Sequence, residues 1–217
     1  MAYISNDTNL IEAFNNNIDI HTATASLLFS TAIEDVTNEM RRTAKTVNFG
    51  IMYGLGTFGL SQRLNITRTA ADAIIQNYFE KFPGIKTYVS DTLNSVRKFG
   101  YAETVTGRKR FFPDINHKNF NIRSAAERAA VNMPIQGSAS DMIKIAMINI
   151  YQILKQQNLK SKMILQVHDE LLFETAIDEI DLVADIVNTQ MLYALPLGDV
   201  PLAVSIGFGK NWLEAHS

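Results

Sequence analysis

Four side chains recur at every fourth position between residues 41 and 53, and this spacing constrains the chain more than any other feature. They are Arg41, Lys45, Phe49 and Tyr53. Each step of four residues turns by about 40° on an α-helix, so the four cover about 120° of one face. Two cations followed by two rings match the layout of a nucleoside triphosphate, because arginine and lysine bind phosphate and aromatic rings lie against sugars or bases. The same spacing also suits an ordinary amphipathic helix with solvated cations and buried rings.

The letters around this stripe are more specific than its spacing. Residues 41–54 read R-R-x-A-K-x-x-N-F-G-x-x-Y-G. This string resembles motif B, the fingers-helix motif of family A DNA polymerases, and so many fixed positions are improbable as a chance match. The resemblance implies that Arg41 and Lys45 hold the triphosphate, with Lys45 also giving a proton to the leaving pyrophosphate. It implies that Phe49 packs on the ribose and that Tyr53 lies at the base-pair pocket.

Composition bounds the kind of molecule. The chain has 217 residues, 47% of them hydrophobic, which suffices for one large domain or two small ones. It has no cysteine, which excludes disulfides and thiolate metal sites. We see neither a signal peptide nor an apolar run that could span a membrane. The expectation is therefore a cytoplasmic protein with no membrane partner.

Charge is distributed unevenly along the chain, although its net value is only −2. Residues 1–39 contain six acids and no Lys or Arg, whereas residues 40–130 contain fifteen Lys or Arg against six acids. Residues 131–217 are acidic again, with five basic side chains against ten acids. A basic middle between acidic flanks favours a chain that holds a polyanion with one part, although uneven surface charge without a ligand gives the same pattern.

Periodicity and turn signals predict an α+β fold with a helical middle and a small antiparallel sheet toward the C-terminus. Besides the stripe-bearing helix, which Thr37 or Asn38 can cap, we expect helices near residues 6–14, 20–29, 58–64, 68–82, 84–99, 120–132, 138–156 and 178–194. Pro134 and Gly137 are expected to interrupt the chain between two of these helices. We expect β-hairpins over residues 101–113 and 162–175, and a last strand over residues 202–206.

A second motif lies at the tip of the later hairpin, where the sequence reads Val167-His168-Asp169-Glu170. A carboxylate on such a turn can bind Mg²⁺, although four letters alone also describe a solvated acidic turn. V-H-D-E resembles motif C of family A polymerases. The resemblance implies that Asp169 is a ligand of two catalytic Mg²⁺ ions, that His168 contacts the primer end, and that Glu170 is a weaker metal candidate.

Residues 121–142, which contain A-E-R-A-A-V-N-M-P-I-Q-G-S-A-S-D-M, resemble a third block of the family. Arg128, Asn132 and Gln136 in this segment match residues that reach the DNA minor groove beside the primer terminus, where acceptors are alike for every correct pair. Helix and turn capping is the alternative for the two amides. The basic tip of the first hairpin, with Arg108 and Arg110, is expected to contact DNA phosphates or simply to face solvent.

The resemblance extends from about Met1 to about Trp212. It implies a mainly helical fingers subdomain (22–125) and a palm built on a small antiparallel sheet (1–21 and 126–217), acting on primer-template DNA and dNTP. His21 matches a family histidine near the triphosphate. The family's motif A, D-Y-S-Q-I-E-L-R, which carries the second metal-binding Asp, and its thumb are both missing from this chain. We therefore expect an incomplete polymerase domain that does not extend a primer by itself.

Three other readings remain open on the sequence alone. A non-catalytic nucleic-acid-binding module explains the basic middle but not the acidic hairpin tip. Part of a single-subunit RNA polymerase is the second, although those enzymes typically carry tyrosine at the position of Phe49. A helical scaffold without a ligand is the third, and it predicts no salt-dependent DNA binding.

Overall fold

Helices account for most of the chain in the computed structural model, which describes residues 1–216. They are α1 (Ala2–Ser5), α2 (Thr8–Asn15), α3 (Ile20–Phe29), α4 (Asn38–Met52), α5 (Thr57–Leu64), α6 (Arg68–Lys81), α7 (Pro83–Phe99), α8 (Phe120–Gln156), α9 (Ile180–Leu192) and α10 (Trp212–Ala215). Two antiparallel hairpins pair β1 (Tyr101–Glu103) with β2 (Lys109–Phe111) and β3 (Lys162–Val167) with β4 (Glu170–Glu174). The predicted α+β class, mainly helical with small antiparallel sheets, is confirmed.

The described chain divides into two compact units. The first comprises Met1–Ser138 and Gly198–Pro201, and the second comprises Ala139–Leu197 and the residues from Leu202 onward. The boundary between residues 138 and 139 falls inside α8. It differs from the predicted start of the second palm segment at residue 126, and the division into fingers and palm stays a prediction.

Two clusters of buried side chains form the core of the first unit. One joins helices α1, α2 and α4–α7 through Ala2, Leu10, Val47, Ile51, Leu60, Ala71, Tyr78, Phe82 and Ile85. The other joins the end of α7, the first hairpin and the first half of α8 through Val96, Ala102, Phe112, Ile115, Ala130 and Met133. Between α7 and α8, the buried Tyr88 hydroxyl donates to the Val131 carbonyl at 2.6 Å. This packing fixes the helices that carry the candidate site.

Helix ends follow the capping signals of the sequence. The Thr37 hydroxyl accepts a hydrogen bond from Met40 N at 3.2 Å and starts α4, and the Thr67 hydroxyl accepts one from Ala70 N at 3.2 Å and starts α6. Gly100 ends α7 with φ at 81°, a conformation that costs glycine little. Of the two residues predicted to cap α4, Thr37 is the one that does so.

Asp7 performs two tasks at the start of the chain. It is the N-cap of α2, where one carboxylate oxygen accepts from Leu10 N at 2.9 Å. The other oxygen accepts from Gly84 N at 2.7 Å, at the beginning of α7. The side chain is only 1% exposed. A Cβ on Gly84 would lie 2.8 Å from the Asp7 Cα and Cβ, so the glycine permits this close approach.

Pro134 and Gly137 do not interrupt the chain, and that prediction is wrong. Both lie inside the single helix α8. A proline removes one backbone donor and costs about 3 kcal/mol inside a helix. Pro134 is buried, as are Val131 and Met133 on the same helix, and burial in the core offsets this cost. The hydroxyl of Ser138 donates to the Pro134 carbonyl one turn later.

Gly137 does not end a helix; it allows the first hairpin to pack closely against α8. A Cβ at this position would lie 2.5 Å from Cγ2 of Thr104, which is 5% exposed. Beside this contact, Val105 N donates to the Ser138 hydroxyl at 2.9 Å, and the Arg108 guanidinium donates to the Gly137 carbonyl at 3.0 Å. The glycine thus lets the hairpin loop dock directly on the α8 backbone.

The second unit has its own core, formed between the later part of α8 and α9. Its buried members are Ala146, Ile150, Leu154, Val183, Ile186, Val187 and Ala194. The hairpin β3–β4 packs Met163, Leu171 and Phe173 against this core. The Glu179 carboxylate accepts from Lys160 N and Ser161 N at 2.9 Å each and from the Ser161 hydroxyl at 2.6 Å. These hydrogen bonds hold the pKa of Glu179 below its ordinary value, and the bond from the Ser161 hydroxyl has the largest effect.

The predicted last strand is wrong, since the structure assigns residues 202–206 to no strand. A strand needs a neighbour for its backbone donors and acceptors, and the ladders among residues 1–216 pair only β1 with β2 and β3 with β4. Apolar alternation by itself therefore gave a false signal. Within the described residues, no helix combines the length and the apolar character needed to cross a bilayer.

Replacing Asp7 should weaken the fold more than removing an ordinary helix cap. Asp7→Ala removes the α2 cap, worth about 1 kcal/mol, and leaves the Gly84 N–H unpaired, which adds about 1–3 kcal/mol. We expect chemical denaturation to give a loss of about 2–4 kcal/mol. Thr67→Ala is the matched control, because Thr67 caps α6 through a single bond, and it should cost only about 1 kcal/mol. Equal losses in the two variants would contradict the double role of Asp7.

Gly137→Ala should destabilise the chain even though alanine favours helices. Overpacking against Thr104 costs about 1–3 kcal/mol, and helix propensity returns about 1 kcal/mol. Adding Thr104→Ser removes the methyl group that the new Cβ meets and keeps the hydroxyl. We expect thermal denaturation to show that the double variant is more stable than Gly137→Ala alone. Additive losses would mean that the Thr104 contact does not explain the glycine.

Candidate functional site

Helix α4 separates a solvent-facing stripe from a buried face. Ala44, Val47, Asn48 and Ile51 are buried, whereas Arg41 and Lys45 are exposed. Phe49 keeps 37% of its surface exposed, and Tyr53, the residue after the helix, is half-buried. The reading in which the rings of the stripe are core residues therefore does not hold for Phe49. The stripe presents cations at its start and rings at its end.

The rings form a short row that begins on the neighbouring helix α3. The centroids of His21 and Phe49 lie 5.5 Å apart, with the planes tilted by 50°. Those of Phe49 and Tyr53 lie 6.0 Å apart and nearly parallel, at 16°. The Lys45 ammonium is 5.9 Å from the centre of the Phe49 ring. The structure thus brings together all five residues assigned from the sequence to nucleotide binding: His21, Arg41, Lys45, Phe49 and Tyr53.

Asp19 is a member of this cluster that the sequence analysis missed. It is the N-cap of α3, accepts from His21 N at 2.9 Å, and forms an ion pair with the Arg41 Nε. Partial burial acts to raise the pKa of the Asp19 carboxyl, but the bonds from Arg41, His21 N and Thr22 outweigh it and lower the pKa. Asp-x-His before an apolar run is a capping signal that could have identified it.

Asn48 is the second missed residue, although it is one of the fixed letters of the motif. It is 2% exposed, and its amide nitrogen lies 3.0 Å from Nδ1 of His21 and 3.4 Å from the Ile20 carbonyl oxygen. Burial lowers the pKa of His21; Asp19 opposes this shift, while Arg41 and Lys45 add to it. The imidazole is therefore neutral at pH 7.

The turn after α4 lies against Arg128 on α8. A Cβ on Gly54, whose φ is 76°, would be 3.0 Å from Cγ of Arg128. The Arg128 guanidinium donates to the Ser124 hydroxyl at 2.7 Å. One turn further along α8, the buried Oδ1 of Asn132 has no hydrogen-bond partner among residues 1–216. Another turn on, Gln136 is exposed. These three residues follow the same helix away from the aromatic row.

In the basic tip of the first hairpin, one arginine makes a structural contact and another faces solvent. Arg108 donates to the Gly137 carbonyl, as described above, so its guanidinium helps dock the hairpin. The Arg110 guanidinium lies 5.2 Å from the centre of the Phe112 ring and remains open to solvent.

The acidic motif of the second unit occupies the two-residue turn between β3 and β4. Val167 pairs with Glu170, and His168 and Asp169 form the turn and are exposed. His168 has φ at 54°, in the left-handed region that non-glycine residues rarely adopt. The Glu170 carboxylate lies 3.5 Å from Nδ1 of His216, which leaves Asp169 as the carboxylate of this turn without a described ion pair.

The residues available for a metal ion do not form a complete site. Within residues 1–216, no group of three or more His, Cys, Asp or Glu side chains is arranged to hold a metal. A pair of Mg²⁺ ions about 4 Å apart needs more than one carboxylate. Asp169 can offer one, and the described residues do not supply the rest.

Comparison with known proteins gives one consistent result. The family model for DNA polymerase family A matches residues 1–214. DNA polymerase I of Bacillus subtilis (strain 168) is 50% identical over 215 residues, 99% of this chain and 24% of that protein. DNA polymerase I of Geobacillus stearothermophilus is 47% identical over 215 residues, with the same coverage of 99% and 24%. The chain spans about a quarter of the length of these curated relatives.

A solved structure gives the same answer from the fold. It is the POL domain of Pol1 from M. smegmatis in complex with DNA primer-template and dNTP. It superposes with a TM-score of 0.94 at 46% identity, covering 100% of this chain and 38% of that one. Sequence and fold agree along the whole chain, which therefore belongs to DNA polymerase family A.

Proposed function

We propose that this chain contributes to template-directed DNA synthesis, the transfer of a nucleotide from dNTP to a primer 3′-hydroxyl. The 3′-hydroxyl gives up its proton to solvent and its oxygen bonds to the α-phosphate, while the bond to pyrophosphate breaks and the leaving group takes up a proton. The observation that carries the proposal is the stripe of α4, with two exposed cations at one end and the exposed Phe49 ring beside the half-buried Tyr53 ring at the other. Its support from relatives is that the M. smegmatis POL domain was solved with primer-template and dNTP.

Within the stripe, each residue takes the role that its chemistry suits. Arg41 and Lys45 hold the triphosphate by charge-assisted hydrogen bonds. Phe49 packs on the deoxyribose, and Tyr53 borders the nascent base pair. Lys45 is also the proton donor for the leaving pyrophosphate. His21 donates a hydrogen bond to the phosphates from the neighbouring helix, as a neutral ring.

DNA contacts in this proposal come from three separate elements. On α8, Arg128, Asn132 and Gln136 form polar contacts with the minor groove, and the unpaired Oδ1 of Asn132 is a group in need of a partner. Arg110 and Arg108 on the first hairpin contact phosphates. His168, on the turn of the second unit, contacts the primer end. In family terms, residues 22–125 act as fingers, and residues 1–21 and 126–217 act as palm segments.

Magnesium enters the proposal only as a requirement of the chemistry. Two Mg²⁺ ions would activate the 3′-hydroxyl and stabilise the leaving charge. Asp169 is the ligand we assign in this chain, with Glu170 a weaker candidate because it pairs with His216. Further carboxylates must come from outside the described residues, as the resemblance to a family with a motif A Asp implies. We expect the reaction to take place in the cytoplasm.

Nucleotide binding by this chain tests the role of the stripe. We expect isothermal titration with dNTP and Mg²⁺ to show binding that Lys45→Ala weakens by about tenfold or more. Lys86→Ala is the matched control, because Lys86 is an exposed lysine on α7, away from the helix that carries the stripe. Its loss should change the affinity by about twofold or less. Binding of DNA without any binding of dNTP would instead support a non-catalytic nucleic-acid-binding module.

Primer extension tests whether the chain is sufficient for catalysis. With primer-template, dNTP and Mg²⁺, we expect no incorporation above background, because the described residues lack a complete set of metal ligands. A family A polymerase assayed in parallel is the positive control. Robust Mg²⁺-dependent incorporation by the 217-residue chain would contradict this expectation.

Substitution of Phe49 tests the position assigned to the ribose. In a complete family A polymerase that carries this segment, Phe49→Tyr should relax selection against dideoxynucleotides by about tenfold or more, because the tyrosine hydroxyl replaces the hydrogen bond of the missing 3′-hydroxyl. Phe58→Tyr is a suitable control, since Phe58 is also exposed, at 60%, but lies on α5. Unchanged dideoxy selectivity in Phe49→Tyr would place Phe49 away from the sugar.

A further inference from the structure

The side-chain amide nitrogen of the buried Asn48 lies within hydrogen-bond distance of two groups. One is the Ile20 carbonyl oxygen, which can only accept, at 3.4 Å from Nδ2. The other is Nδ1 of His21, at 3.0 Å from the same nitrogen, and this atom accepts or donates depending on where the imidazole carries its proton. Both partners belong to α3, so the amide links the two helices of the candidate site.

The orientation of the amide follows from counting these bonds. With Nδ2 toward α3, its two hydrogens serve the Ile20 carbonyl and Nδ1, and only the Asn48 Oδ1 lacks a partner. With the amide turned over, Oδ1 would face the carbonyl oxygen of Ile20 as a second acceptor, and the hydrogen bond from Nδ2 to that carbonyl would be lost. Losing a hydrogen bond to a buried group is unfavourable. The first orientation is therefore favoured, and it makes His21 Nδ1 an acceptor.

The remaining nitrogen of the ring is available to a ligand. A neutral imidazole that accepts at Nδ1 carries its hydrogen on Nε2. Nε2 of His21 has no hydrogen-bond partner among residues 1–216, and it is not fully buried, since the ring is half-buried and Nε2 is not among the buried unpartnered atoms. It lies in the cluster that contains Arg41 and Lys45, where an anion is attracted.

We infer that Asn48 is a positioning residue that holds His21 in the Nε2–H tautomer, so that the ring offers a neutral hydrogen-bond donor to a nucleotide phosphate. The phosphate part of this inference rests on the proposed function, whereas the tautomer does not. Asp19, Arg41 and Lys45 are the charged groups around the ring. Burial lowers the pKa of His21, Asp19 opposes this shift and Arg41 and Lys45 add to it, so the neutral imidazole is favoured. A neutral donor binds phosphate without taking up a proton.

The tautomer can be read directly by nitrogen NMR of the unmodified chain. The chain has four histidines, so ¹⁵N-histidine labelling gives a small spectrum, and the signals of His21 are those lost in His21→Gln. At a pH where the ring is neutral, we expect Nδ1 of His21 at the shift of an unprotonated nitrogen and Nε2 at that of a protonated one. A protonated Nδ1, or a mixture of the two tautomers, would overturn the inference.

Changing the amide to a carboxylate should reverse the tautomer. In Asn48→Asp, both oxygens can only accept, so the proton of His21 should move to Nδ1. Asn38→Asp makes the same change in the first turn of α4 and should leave the His21 spectrum unchanged. A folded Asn48→Asp chain that keeps the Nε2–H tautomer would show that Asn48 does not control the ring. If this variant does not fold, the NMR spectrum of the unmodified chain still tests whether His21 carries its proton on Nε2.

Two substitutions of His21 separate the donor role from the nucleotide site itself. The amide nitrogen of glutamine reaches about as far as Nε2, and that of asparagine about as far as Nδ1. His21→Gln should therefore bind dNTP on the order of tenfold more tightly than His21→Asn. Equal dNTP affinities in the two variants would show that His21 does not act as a hydrogen-bond donor to the nucleotide, even if the NMR spectrum shows the Nε2–H tautomer. No dNTP binding by any form, with the Nε2–H spectrum intact, would overturn the proposed function and leave the tautomer standing.

Discussion

The candidate site depends on the way α4 is divided between solvent and core. Val47 and Ile51 anchor one side of this helix in the main cluster of the first unit. Because that side cannot rotate outward without exposing apolar surface, the opposite side must carry Arg41, Lys45 and Phe49 to solvent. The ligand-facing geometry is thus set by packing behind it, and a substitution on the buried side changes the site without touching a ligand.

Much of the fold could be predicted because its signals are local. The caps at Thr37 and Thr67 and the glycine stop at Gly100 each depend on chemistry within one helical turn. The two hairpins likewise follow from short apolar runs around turn residues. The stripe of α4 could be found because helical spacing converts directly into a shared face. These features are determined largely by residues that lie close together in the sequence.

The failures share a different origin, since each depends on what a segment meets elsewhere. Pro134 stays helical because it is buried among core residues, and Gly137 is helical because a hairpin loop packs on it. Residues 202–206 alternate like a strand but have no ladder. Asp19 and Asn48 were overlooked for the same reason: their importance lies in partners on another helix. A complete metal site could not be expected from the sequence, because Asp169 is a single carboxylate and no cluster of three candidate ligands forms among the described residues.

The ion pair between Asp19 and Arg41 has a consequence for how an anion enters the site. The carboxylate of Asp19 accepts from the guanidinium that the proposed function assigns to phosphate. In that proposal, a phosphate competes with this carboxylate for Arg41. The exchange favours ligands with more negative charge than a single carboxylate. If Arg41 holds the triphosphate as proposed, the preference for a triphosphate over a monophosphate depends in part on Asp19.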